Sequence, residues 1–266
     1  MNFTNWPSFS SEEVDAVSKI LTSSQVNYWT GSHGKNFEEE FSSWVGVKYS
    51  IALANGSVAL ELALKALKLS PEDEVIVSPR SFIASVSSVV NIGAIPVFAD
   101  VNKESGNITA ETISKVLTKK TKAIICVHLA GWPCEMSSIM DLANKNDIYV
   151  IEDCAQAHGA RNGEKSVGSI GHIGTWSFCQ DKIISTGGEG GMVTTNDSKL
   201  WRFMWEYKDH GKSFDKMNEV DPPMGFRWLH DSFGTNHRMT EMQSAIGRIQ
   251  LSKMKSWTTI RNKNAS

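Results

Sequence analysis

The sequence predicts an α/β fold in which a mainly parallel sheet carries helices on both faces. Three observations carry that prediction. Short apolar, β-prone runs alternate with helical segments of about ten residues through the first two thirds of the chain. The segment 58–67 is apolar nearly all round, the pattern of a helix buried among other elements. Polar and glycine-bearing turns follow the strand ends, where sheets of this kind bind ligands.

In chain order, Ser10 and Glu13 form a capping box at the start of the first helix, with Val14, Val17, Ile20 and Leu21 expected on its apolar face. Residues 28–34 form a loop rich in aromatics and glycine, and an amphipathic helix beginning at Phe37 ends near Gly46. A strand at 49–54 feeds the turn Asn55-Gly56-Ser57 and the helix 58–67. Strands follow at 74–78, 95–99, 122–127 and 148–151, with helices at 81–90, 109–117 and 136–144 between them. Two more strands are expected at 175–178 and 192–195, then a helix at 200–207. Residues 209–233 read as a long loop, of the length that is functional or mobile. The last helix spans 240–255, with Thr240 and Gln243 as a second capping box.

Composition narrows the function. Hydrophobic residues make up 41% and charged residues 21%, ordinary for a soluble globular protein. A formal charge of -2 with no long basic run argues against nucleic acid or anionic membrane as the main partner. No apolar stretch reaches the roughly 20 residues of a membrane span. Residues 1–7 carry neither a basic leader nor an apolar core, so no signal peptide is expected. Cys126, Cys134, Cys154 and Cys179 lack metal spacing and read as free thiols in a reducing cytoplasm.

The chemistry centres on Lys182, which sits on a turn between two strands, followed by Gly187, Gly188, Gly190 and Gly191. A lysine among apolar walls can lose its proton and form a Schiff base with an aldehyde. The other reading is a surface lysine beside a glycine-rich hairpin. Asp153, at a strand end, can hold a proton on a pyridine nitrogen, or it can be a helix N-cap. Asn55-Gly56-Ser57 at a buried helix N-terminus can cradle a phosphate, or it is an ordinary strand-to-helix turn. Together a lysine, a carboxylate and a phosphate cradle are what a pyridoxal phosphate site requires.

Five runs, taken together, resemble the DegT/DnrJ sugar aminotransferases, which are fold-type-I pyridoxal phosphate enzymes acting on nucleotide-linked keto-sugars. They are 55–60, 81–85, 151–159, 177–182 with 188–191, and 236–243, in order and spread over nearly the whole chain. The resemblance implies that Lys182 carries the cofactor and shuttles protons, and that Asp153 pairs with the pyridine nitrogen. It places Gln156 near the ring hydroxyl and Phe82 on the ring face, although Phe82 can also be read as core. Gly56, Ser57 and Ser177 would hold the phosphate, and Asn236 would reach the cofactor phosphate of a neighbouring subunit, which implies a homodimer with shared sites. Tyr28, Trp29 and Thr30 would contact sugar. His128 and His158 read as hydrogen-bonded structural histidines.

The same resemblance divides the chain into an N-terminal helical segment (1–48), a cofactor-binding large domain (49–235) and a linking helix (236–266) to a C-terminal small domain that the sequence lacks. The function it implies is amino transfer, with glutamate as donor, to a nucleotide-linked keto-sugar in cytoplasmic synthesis of bacterial surface polysaccharide, lipopolysaccharide or deoxyaminosugars. A sugar 3-dehydratase is the alternative, but those members carry histidine in place of the lysine. A third reading is a cofactor-binding homologue without catalysis.

Overall fold

The structure, a computed structural model, describes residues 6–221, 224, 225 and 227–265. Met1 to Asn5, which include most of the stretch read above as free of a leader, lie outside the described residues, as do Pro222, Pro223, Phe226 and Ser266.

The chain begins with α1 (Ser11–Ser23) and α2 (His33–Val45), then alternates: β1 (Tyr49–Leu53), α3 (Gly56–Ala66), β2 (Glu74–Val77), α4 (Ala84–Asn91), β3 (Ile95–Phe98), α5 (Ala110–Ser114), β4 (Thr121–Val127), α6 (Met136–Lys145) and β5 (Tyr149–Asp153). A small hairpin, β6 (Arg161–Asn162) and β7 (Lys165–Ser166), precedes β8 (Ile173–Ser177) and β9 (Gly191–Thr195). Helices α7 (Ser198–Tyr207), α8 (Phe214–Met217) and α9 (Glu241–Ala265) complete it. No helix among the described residues is long and apolar enough to cross a membrane.

Seven strands form one sheet in the order β1-β9-β8-β5-β4-β2-β3. Every pairing from β8 through β5, β4 and β2 to β3 is parallel. β9 is the exception, running antiparallel to both β8 and β1. The strands are apolar on both faces because both are covered. Val75, Val77, Ile125 and Val127 pack with α3 and α7, while their neighbours Ile76, Ile124 and Cys126 pack with α5 and α6. At the other end, Ala52, Trp176 and Met192 meet Phe37, Phe41, Leu251 and Met254 from α2 and α9.

Several expectations shift. The helix expected at 81–90 starts only at Ala84, because the Ser78 hydroxyl accepts the Arg80 N–H (3.1 Å) and holds the approach as a turn. The helix expected at 109–117 stops at Ser114, and Thr118 and Thr121 bond local backbone to turn the chain into β4. The last helix runs on to Ala265, well beyond residue 255. The face of α1 is rotated: Val14 and Leu21 are 62% and 56% exposed. Glu13 is buried instead, drawn inward by Lys253 of α9 at 2.8 Å and by its cap, the Ser10 N–H at 2.9 Å. The long loop holds the short helix α8 and is tied by Lys216 to Asp231 and by Arg227 to Glu219. All four cysteines are free, and Cys126, Cys134 and Cys154 are buried.

Candidate active site

A cavity of about 590 Å³ opens at the carboxyl ends of β1, β4, β5 and β8. It is lined by Gly56, Ser57, Phe82, Asp153, Gln156, Ser177 and Lys182, so the structure gathers every residue predicted to touch the cofactor but Asn236 around one space, and none of the predicted sugar contacts Tyr28, Trp29 and Thr30. A larger groove of about 730 Å³ lies between α1, α2 and α9. Its Arg248 is already occupied by Glu40 (2.6 Å) and His33 (3.0 Å), and it brings none of the predicted chemistry together.

Asp153 ends β5 and is buried at the floor of the cavity. One carboxylate oxygen accepts from the Ser85 hydroxyl at 3.0 Å and the other from the Ala155 N–H at 3.1 Å. Ser81 continues the chain to Ser85 at 2.7 Å. Burial pushes the Asp153 carboxyl above the usual carboxylate range, while Ala155, Ser85 and the more distant His128 and Lys182 oppose the rise. A buried carboxylate facing a cavity is chemically suited to pair with a cationic group of a bound molecule. It caps no helix: the Ala155 N–H it accepts lies in a turn.

The cradle is set by Asn55, whose side chain caps α3 by accepting the Val58 N–H at 2.9 Å. The first turn of α3 therefore faces the cavity with the positive end of the helix. Gly56 is required by space: a Cβ there would lie 2.6 Å from the Ser177 Cβ. Ser57 and Ser177 add hydroxyls at the same end. Gly191 lets the start of β9 lie directly against this turn, since a Cβ there would lie 2.4 Å from the Asn55 carbonyl oxygen.

Lys182 lies in the loop 178–190, which folds back on itself through Phe178 N–H to Gly190 O (2.8 Å), Gln180 N–H to Gly188 O (3.1 Å) and Thr186 N–H to Phe178 O (3.2 Å). Its side chain is 19% exposed and the ammonium contacts Asp181 at 2.7 Å. The walls around it are thus not wholly apolar as expected. Lys182 in turn holds the Asp181 carboxyl below its usual value.

Phe82 is 69% exposed on the cavity rim, which rules out the core reading. The Gln156 amide oxygen accepts the Ala130 N–H at 2.7 Å. Asn236 stands apart from the cavity, on a segment that bridges Asp209 and lies beside the end of β1, where Ala54 N–H meets His237 O at 3.0 Å. Tyr28 and Trp29 do not line the cavity, and their polar atoms donate to Glu38 (2.9 Å) and to Asp209.

The two histidines differ. His128 is hydrogen-bonded as expected: its Nδ1 accepts the Cys134 N–H at 3.1 Å, and its Nε2 lies 2.9 Å from Glu152. His158 is buried, yet neither ring nitrogen has a hydrogen-bond partner among the described residues. Its ring packs against Trp176 and Phe178. Sequence reasoning misses Ser85, although its four-residue spacing from Ser81 is a usable signal. It also misses Glu152, which accepts from Gly168 (2.9 Å), Ile170 (2.8 Å), Gly171 (2.7 Å) and His128, and so pins the approach to β8 against the strand that carries Asp153. Burial would raise the Glu152 carboxyl, but His128 and these N–H groups hold it below its usual value.

A lysine amine, a buried carboxylate and a helix-end cradle on one cavity fit an aldehyde cofactor with a basic ring nitrogen and a phosphate. Comparison with known proteins agrees. A GDP-perosamine synthase of Escherichia coli is 40% identical over 245 residues, covering 92% of this chain and 64% of the relative. A UDP-N-acetyl-3-dehydro-alpha-D-glucosamine 3-aminotransferase of Acidithiobacillus ferrooxidans is 39% identical, covering 96% and 65%. The chain thus spans a little under two thirds of the length of these curated relatives. Among solved structures, an aminotransferase from Psychrobacter cryohalolentis superposes with a TM-score of 0.98 at 64% identity, over 99% of this chain and 67% of that one. PseC of Helicobacter pylori, an aminotransferase involved in pseudaminic acid biosynthesis, gives 0.84 at 32% identity, over 94% and 65%. The model of the DegT/DnrJ/EryC1/StrS aminotransferase family matches residues 7–266, and the chain belongs to that family.

Proposed function

We propose that this chain binds pyridoxal 5′-phosphate and serves an aminotransferase that moves an amino group from glutamate to a nucleotide-linked keto-sugar. The observation that carries this reading is the convergence of Lys182, Asp153 and the Gly56–Ser57 turn on one cavity. The relatives' names support the substrate class, since they name GDP-, UDP- and dTDP-linked sugars.

When bound, the cofactor supplies an electron sink for loss of a proton from the carbon that bears nitrogen. The protein's own groups do the rest. Lys182 holds the cofactor and moves the proton as base and acid. Asp153, steadied by Ser85 and Ala155, keeps the ring nitrogen protonated. Gly56, Ser57 and Ser177 would hold the phosphate, and Phe82 and Gln156 would bind the ring. Asn236, outside this cavity, serves the phosphate of a partner subunit's cofactor in a cytoplasmic homodimer.

The test is spectroscopic. Purified protein mixed with pyridoxal phosphate should gain a visible absorbance band, and borohydride should fix the label on the peptide containing Lys182. Glutamate should discharge the band in the protein that was not reduced. Lys182→Ala should abolish the labelling. A label that maps to another lysine, or a band that survives in Lys182→Ala, overturns the assignment.

A further inference from the structure

The loop 178–190 carries Lys182 but does not hold its own shape unaided. Three side chains distant in the sequence bind its backbone. The Trp6 indole donates to Lys182 O at 3.0 Å, Gln243 of α9 donates to Glu189 O at 2.8 Å, and Gln250 of α9 accepts the Ser185 N–H at 2.8 Å.

The third contact differs in kind from the other two. Gln250 is 1% exposed and Ser185 is fully buried. The Ser185 hydroxyl has no partner among the described residues, so the backbone N–H to Gln250 is what orients this residue. On the buried face of a helix an apolar side chain would pack at lower cost, because a buried amide must find a partner. Here the partner is a loop N–H three residues after Lys182. Gly247 allows the approach: a Cβ there would lie 2.6 Å from Phe37 and 3.0 Å from Thr186. The backbone of α9 therefore comes directly against the turn, and Gln250 reaches the Ser185 N–H.

We infer that Gln250 is a positioning residue for Lys182. It fixes the turn 183–186 against α9 and so determines where the lysine amine stands relative to Asp153. It touches neither cofactor nor substrate; it acts through the turn. The inference rests on the proposed role of Lys182 as the attachment point.

The test compares Gln250→Leu, which keeps the shape and loses the acceptor, with Gln250→Glu, which keeps an acceptor. Leu251→Ala serves as a control for general loss of packing in α9. Hydrogen exchange at Ser185 reads the contact directly, without any cofactor. The rate of pyridoxal phosphate capture and the pH at which the visible band changes read the lysine. For Gln250→Leu we expect Ser185 exchange to rise, capture to slow by about tenfold and the spectroscopic pH midpoint to move, as small misplacements of reacting groups do. Gln250→Glu should restore most of all three, and Leu251→Ala should leave the pH midpoint in place.

If Gln250→Leu frees the Ser185 amide while capture and midpoint stay unchanged, Gln250 is structural only and the inference fails. It fails equally if Leu251→Ala reproduces the whole effect. Should Gln250→Leu not fold, the more flexible Gln250→Met removes the same acceptor, and an unchanged pH midpoint there overturns the idea. If unsubstituted protein gives no band that borohydride fixes, the functional reading fails, and the exchange result still reports on the contact.

Discussion

The Glu241 carboxylate accepts the backbone N–H groups of both His33 (2.6 Å) and Gly34 (2.9 Å), so the first turn of α9 caps the first turn of α2 from more than two hundred residues away. Glu241 is fully buried, and its own N–H donates to Val26 O at 3.2 Å. One residue thus joins α9, the entry to α2 and the chain before the aromatic loop. A negative group at a helix N-terminus also complements the helix dipole. Glu241→Ala leaves two donors without their acceptor and should cost about 2–4 kcal/mol in urea unfolding, with Glu241→Gln between it and the parent. A loss below about 0.5 kcal/mol would show that the cap contributes little.

The Ser85 hydroxyl is one of two groups that hold the Asp153 carboxylate. Ser85→Ala should therefore weaken pyridoxal phosphate affinity by about three- to tenfold, the net worth of one ordinary hydrogen bond. Asp153→Asn removes the charge itself and should weaken it by about a hundredfold or more. Titration of the visible band measures both. Equal effects from the two substitutions would contradict the division of roles.

Gly56→Ala places a methyl group 2.6 Å from the Ser177 Cβ. The cradle must open to admit it, at a cost of about 1–3 kcal/mol. Phosphate affinity should fall with stability. Pyridoxal without its phosphate should bind the variant and the parent alike, which separates damage to the cradle from damage elsewhere.

His158 gives a pH prediction. Burial, with Lys182 and Arg261 nearby, pushes its imidazole down to about 3 in the folded chain, against an ordinary value near 6.5. The unfolded chain therefore takes up this proton first as pH falls. Stability contributed by the neutral ring is full above about 6.5 and is lost progressively down to about 3. His158→Phe fills similar space between Trp176 and Phe178 and removes the titrating ring. It should change stability at neutral pH by less than about 1.5 kcal/mol and flatten the decline in acid, read from denaturant midpoints between pH 7 and 4. An unchanged acid slope would place the titrating group elsewhere.

Much of the site is legible in the sequence because strand ends are legible. Apolar runs locate β4, β5 and β8, and the polar residues that follow them fall at one end of the sheet. Asp153 and Ser177 are found in that way. What periodicity cannot show is contact at long range. Nothing local predicts that Glu13 will turn inward, because its reason is Lys253 in the last helix. Val14 and Leu21 are accordingly left in solvent despite their apolar spacing. Glu152 and His128 are 24 positions apart and meet only because β4 and β5 are neighbours. Phe82 is undecided by its chemistry alone, since an aromatic serves a core or a ring face equally well, and only its place on the cavity rim settles that it is not core.

The antiparallel strand β9 has a consequence for how the chain reaches its native state. It lies between β1 and β8, so β1 has no hydrogen-bonded neighbour in the sheet until residues roughly 140 positions later are in place. During synthesis the five parallel strands from β3 to β8 can assemble first, while 49–53 waits as an open ladder edge. Insertion of 191–195 then joins the two parts, and it closes the loop that carries Lys182 in the same event. Assembly of the sheet and formation of the lysine turn should accordingly share one slow kinetic phase, with the early intermediate exposing strand edges that invite misassociation.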